Sequence, residues 1–146
     1  MWNFHDYAMQ EALREARLAF EEKEVPIGAV ITQGERILAR AHNQTRTFSD
    51  PTAHAEILVI TAACNLLHTH ILPNCTLYVT IEPCPMCAGA LLWAQMGTIY
   101  YGATDAKRGY TLYAPNILHP RTTVHNGLCE GEAVALMRDF FQSKRS

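Results

Sequence analysis

A chain of 146 residues with 49% hydrophobic and 18% charged content has the size of one globular domain, expected to span 1–146 and to bury roughly 70% of the surface its unfolded chain exposes. That composition excludes a disordered or collagen-like chain; no apolar run reaches membrane-spanning length, and Trp2-Asn3-Phe4-His5-Asp6 lacks the basic and apolar regions of a secretory signal. A formal net charge of −2 and a pI near 6.4 exclude a global basic field, so any nucleic-acid footprint has to be local.

Met9, Ala12, Leu13, Ala16, Ala19 and Phe20 recur at helical spacing, with Glu11, Arg14, Glu15, Arg17 and Glu21 between them. The pattern predicts an amphipathic helix over 3–23, ended by Pro26. Residues 28–32 and 37–41 read as strands joined by a hairpin at Gln33-Gly34, with Asn43 at its exit. A loop over 44–50 leads into a helix over 52–67, with Ile57, Leu58, Ile60, Ala63 and Leu67 toward the core and His54 and Glu56 in its first turn. Residues 75–81 are rich in β-branched and aromatic side chains and read as a buried strand that delivers Pro83 to a helix over 85–95, closed by Gly97. A fourth strand follows over 98–101, the segment 104–120 reads as irregular, and Thr123–Asn126 reads as a short fifth strand. The last helix, over 130–142, is expected to bury Ala133, Leu136, Met137 and Phe140. This alternation implies a mixed sheet with helices on both faces, without repeats or low-complexity segments.

The five cysteines are an odd number, which favours a reducing cytosol over a disulfide framework and makes Cys64, Cys75 and Cys129 candidate buried thiols. Cys84 and Cys87 differ from these three. In Pro83-Cys84-Pro85-Met86-Cys87 a Cys-x-x-Cys opens a helix, where amides and dipole favour thiolate and Pro85 suits the first position. With His54 they make three soft ligands, the number that leaves a catalytic zinc one open position for water. Glu56, two residues from His54, is turned away on a helix and is poorly placed to be a fourth ligand. Two thiolates neutralise the dication and weaken its effect on bound water, so a nearby carboxylate that moves protons would help. A closed, non-catalytic zinc module would instead need Cys64 or Cys75 as fourth ligand.

His54-Ala55-Glu56 followed by Pro-Cys-x-x-Cys resembles the zinc-dependent cytidine and nucleobase deaminases. Glu24-Val25-Pro26-Ile27-Gly28-Ala29-Val30, Asn43, Asp50-Pro51-Thr52-Ala53, Leu77-Tyr78-Val79-Thr80, Cys87-Ala88-Gly89-Ala90 and Gly102-Ala103-Thr104-Asp105-Ala106-Lys107 are similar to the bacterial tRNA-specific adenosine deaminases, so the likeness spans nearly the whole chain. It implies a three-layer α/β/α cytidine-deaminase-like fold around a five-stranded mixed sheet. It also implies a cytoplasmic hydrolase holding one Zn2+ per subunit on His54, Cys84 and Cys87, with Glu56 as the catalytic proton carrier. The implied substrate is an adenosine in a tRNA anticodon loop, contacted by Asn43, the Ala55 backbone, Asp105, Lys107 and Tyr110. A homodimer using part of the Leu91-Leu92-Trp93 face is implied as well. On the residues alone, Asn43 can simply end its strand and Asp105 can simply open a turn.

One stretch departs from that subgroup, which usually continues after this lysine with small residues. Here the chain reads Arg108-Gly109-Tyr110-Thr111-Leu112-Tyr113-Ala114-Pro115. Two tyrosines and an arginine suit stacking on the bases of a single-stranded loop, and equally suit closure over a free base or nucleoside such as guanine, cytosine or cytidine. Lys107, Arg108, Arg121, Lys144 and Arg145 form a basic rim if the fold gathers them.

Overall fold

The computed structural model describes residues 2–145, and side chains as far as Lys144. Helix α1 (Phe4–Glu21) starts where Asn3 caps it, the side-chain oxygen accepting from the amides of His5 and Asp6. It ends on a left-handed turn, with Lys23 at φ 62° and the Glu24 N–H donating to Ala19 O. Pro26, expected to stop the helix, comes after that turn has already done so.

Strands β1 (Gly28–Gln33) and β2 (Arg36–His42) form the expected hairpin, with Gly34 at φ 59° in its turn. Helix α2 (Ala55–Leu67) begins three residues later than expected. Asp50 Oδ1 takes both the Thr52 N–H and its hydroxyl at 2.8 Å, so Pro51 to His54 stay in a turn and an extended step. Strand β3 (Thr76–Ile81) leads into α3 (Pro85–Ala94), which closes on Gln95 at φ 50° before Gly97 is reached. Strand β4 (Thr98–Ala103) runs two residues longer than expected, because Tyr101 and Ala103 pair with Val79 and Ile81 of the buried neighbouring strand. The segment read as irregular contains one short helix, α4 (Tyr110–Tyr113). Strand β5 (Thr123–Asn126) and helix α5 (Glu130–Arg145) complete the chain.

The sheet has the order β2-β1-β3-β4-β5; β1 is antiparallel to both neighbours, and β3, β4 and β5 are mutually parallel. Residue alternation splits the core in two. Ala29, Ile31, Leu77, Val79 and Ile99 face α2 and α3, while Val30 and Tyr78 face α1 and α5. Each fully buried Leu, Ile or Met in these layers stabilises the fold by about 1.5–3 kcal/mol. Gly28 lets α1 lie directly on β1, since a Cβ there would fall 2.0 Å from the Ala12 carbonyl oxygen. The result is the expected α/β/α sandwich. Its parallel strands β3 and β4 end side by side, the usual location of a crevice in such sheets.

Candidate active site

Two helix N-termini meet at the carboxyl ends of β3 and β4. His54 occupies the N-cap of α2 and Cys84 that of α3, both with extended backbone and neither using its side chain to cap its own helix. Asp, Asn, Ser or Thr normally fill such positions because they do cap. A histidine and a cysteine there leave the imidazole and the sulfur free for another partner. His54 Nδ1 lies 3.7 Å from Cys84 Sγ and 3.4 Å from Cys87 Sγ. A tetrahedral zinc with bonds of about 2.3 Å to sulfur and about 2.0 Å to nitrogen holds such ligands roughly 3.5 Å apart. The spacing therefore fits zinc.

Among the described residues, His54, Cys84 and Cys87 are the only three His, Cys, Asp or Glu side chains gathered closely enough to hold a metal. Cys75 packs in the hydrophobic core with Cys64 against its edge, and burial pushes both thiols up. Neither joins the cluster, so a metal held by these three would keep one position open, as catalytic zinc does. Cys84 is held as thiolate, down to about 4, chiefly by the thiol of Cys87 and then by His54. The same hydrogen bond pushes Cys87 upward, and the Cys84 sulfur also raises the His54 imidazole.

Glu56 is buried beside this cluster and lines the same cleft. Burial, the largest cause, raises its carboxyl to about 7, which suits a group that must accept and return a proton near neutral pH.

Asn43 bridges strand and helix. Its side-chain oxygen accepts from the Ala55 N–H at 2.7 Å, supplying from just past the end of β2 the cap that His54 does not. The Ala55 amide, read from sequence as a substrate contact, is instead taken by Asn43, and Ala55 is fully buried and does not line the cleft. Behind Asn43 the buried Glu24 accepts from the amides of Arg46 and Thr47 and from the Thr47 hydroxyl. Burial would raise this carboxyl, but the bonds from Thr47 and Arg46 outweigh it and hold it below the usual range.

The cleft has a volume of about 700 Å³. Asn43, His54, Glu56, Cys84, Asp105 and Lys107 line it together. Asp105 lines it and opens a turn at once, since its Oδ1 accepts from the amides of Lys107 and Arg108 at 3.0 Å. Tyr110 is a correction. Its N–H donates to Pro83 O at 2.9 Å, and its side chain, 4% exposed, belongs to the core cluster that holds Leu77, Val79 and Leu91 and does not line the cleft. The exposed aromatic is Tyr113, whose hydroxyl donates to Lys107 O at 2.7 Å.

The basic rim is only partly assembled. Lys107 and Arg108 lie on the cleft, joined by Arg138 of α5, while Arg121 lines a separate groove with Gln95 and the Lys144 ammonium sits over the Phe140 ring. The Arg145 side chain lies outside the described residues. Five residues escaped the sequence: Arg138, Met137 and Phe141 as cleft wall, and the buried Glu82 and Glu24. Met137 and Phe141 share a helical stripe with core residues, which hides them; Glu82, a carboxylate following the apolar run of β3, was a visible signal.

A family model described as MafB19-like deaminase matches residues 3–145. A tRNA-specific adenosine deaminase of Agrobacterium fabrum is 46% identical, over 94% of this chain and 93% of that protein. A solved structure described in terms of A-to-I editing by tRNA:A34 deaminases at the wobble position superposes with a TM-score of 0.84 at 44% identity, covering 89% of this chain and 98% of the other. A guanine deaminase of Bacillus subtilis superposes at 0.68 with 34% identity, covering 82% and 79%. With three zinc-spaced ligands, a buried carboxylate beside them and these relatives at near full length, the chain belongs to the deaminase family that includes the bacterial tRNA-specific adenosine deaminases.

Proposed function

We propose that this protein hydrolyses the exocyclic amine of adenosine at the wobble position of a tRNA anticodon loop, giving inosine and ammonia. The observation that carries the chemistry is Glu56: buried, its carboxyl raised to about 7, and set beside a ligand set with no fourth member among the described residues. Zinc held by His54, Cys84 and Cys87, one per subunit, supplies a Lewis acid that makes water nucleophilic at neutral pH. Glu56 accepts the proton of the attacking water and delivers it to N1 of the flipped-out base, then takes the second proton from the new C6 hydroxyl and passes it to the amine, so that the C6–N bond breaks as ammonia leaves and the carbonyl of inosine forms. Asn43, its oxygen committed to Ala55, offers its NH2 group to the base.

RNA is supported over a free base by the rim. Lys107, Arg108 and Arg138 add positive charge at the cleft of a chain that carries a formal −2 overall, and phosphate contacts need only such local charge. A cytoplasmic location follows from the substrate and agrees with five unpaired cysteines. No helix among the described residues is long and apolar enough to cross a membrane.

A homodimer completes the reading. Helix α3 carries no charged residue, and α2 none but Glu56, yet Leu66, Met86 and Trp93 stay exposed, Trp93 at 79%. Helices apolar all round belong in an interior, and a second copy of the chain supplies one.

The substrate is tested by incubating purified protein with unmodified tRNA and, separately, with free guanine, cytosine and cytidine. Inosine in the anticodon loop without ammonia from the free compounds is expected. Ammonia from a free base, with tRNA untouched, would overturn the assignment.

A further inference from the structure

Glu82 stands two residues before the first zinc thiolate and is 4% exposed. Its backbone N–H donates to Ala103 O at 2.8 Å, so it belongs to the last rung joining β3 to β4. No Lys, Arg or His ion-pairs with it among the described residues. Its carboxylate is spent on one segment of chain. Oε1 accepts from the Asp105 N–H at 3.0 Å; Oε2 accepts from the Thr111 N–H at 3.1 Å and the Thr111 hydroxyl at 2.7 Å. Between those anchors lie Lys107 and Arg108, the exposed cations of the cleft mouth.

Gly109 shows how closely the two parts fit. A Cβ there would lie 2.4 Å from the Glu82 carboxyl atoms, although the backbone at Gly109, φ −63° and ψ 141°, is open to any residue. The approach of Glu82, not backbone freedom, is what requires the glycine.

We propose that Glu82 is a positioning residue for substrate: it clamps the 105–111 segment at both ends and thereby sets where Asp105, Lys107 and Arg108 meet RNA flanking the target base. The proposal rests on the RNA reading above. The clamp acts away from the reacting carbon, so its loss removes binding that ground state and transition state share, which raises KM and spares kcat. Hydrogen bonds to a charged acceptor are strong enough that losing part of the clamp costs about tenfold in affinity.

Glu82→Gln keeps one acceptor oxygen but presents NH2 where Thr111 needs an acceptor. Gly109→Ala attacks the same contact from the loop side, leaves Glu82 in place, and decides the matter if Glu82→Gln fails to fold. Each variant is compared with wild type by amide exchange without RNA, by zinc content, and by kinetics on an anticodon stem-loop. Faster exchange at 105–111 with unchanged exchange in β1 and β3, full zinc, KM raised about tenfold and kcat within about twofold are expected. Unchanged exchange at 105–111 would overturn the proposal, and so would faster exchange with an unaltered KM, or a loss confined to kcat. Wild-type protein that leaves tRNA unmodified fails the earlier reading instead, a result that needs no variant.

Discussion

At the residue scale, the site is built by side chains doing work that their neighbours leave undone. His54 and Cys84 sit where caps belong and do not cap, and Asn43, just after β2, supplies the missing acceptor to α2. His42, the last residue of β2, ties that strand to α1 through Glu15 at 2.9 Å and to the helix's C-cap, Glu22, at 3.0 Å. Burial pulls this imidazole down, but the hydrogen bonds to Glu15 and Glu22 outweigh it and hold the pKa above the ordinary histidine value. A raised folded-state pKa means stability that is fully present below about 6.5 and lost as pH rises through the folded value. With solvent screening the pairing contributes about 0.5–1 kcal/mol. The melting temperature of wild type should therefore exceed that of His42→Gln most near pH 6, and the gap should narrow by pH 9. A gap that is constant or widens with pH would show that the pairing is not charge-dependent. The gathering of His54, Cys84 and Cys87 with Glu56 beside them was legible from sequence because a metal-ligand pattern restricts residue type and spacing together. The burial of Tyr110 was not, because it depends on how the 105–111 segment packs back onto residues distant in sequence, among them Pro83.

At the element scale, every strand and long helix was legible from periodicity, composition or bounding turn residues, and most misplacements were at their ends. Three helices end on a left-handed residue that is not glycine: Lys23, His68 and Gln95. Each accepts a strain of about 1–2 kcal/mol, so the glycine or proline that punctuates a sequence is no guide there. The start of α2 shifted for a similar reason, since the Asp50 turn outcompeted helix over 52–54. Helix α3 shows a different limit: its sequence is apolar throughout, so periodicity cannot tell Leu91, buried, from Trp93, exposed. If a second chain covers that face, wild type sediments at twice 16.4 kDa and Trp93→Glu shifts it to monomer at micromolar concentration. Wild-type protein that stays monomeric would contradict the dimer.

At the scale of the whole molecule, the site depends on the sheet order. Placing β3 beside β4 brings Glu82, Cys84 and Asp105 to one edge, and placing β1 between β2 and β3 brings the exit of the hairpin, with Asn43, and the start of α2 to the same edge. Buried carboxylates then hold the two walls, Glu24 the 45–47 side and Glu82 the 105–111 side. Neither wall could be drawn from sequence, because each anchor binds backbone amides more than twenty residues away. The central claim is the division of labour inside this frame, with three side chains for the metal and one for protons. Its most direct test is Glu56→Gln, assayed for zinc per chain and for inosine formed in tRNA. The account predicts one zinc per chain, as in wild type, and a rate about 10²–10⁴-fold lower. Near wild-type turnover, or loss of the zinc, would contradict it.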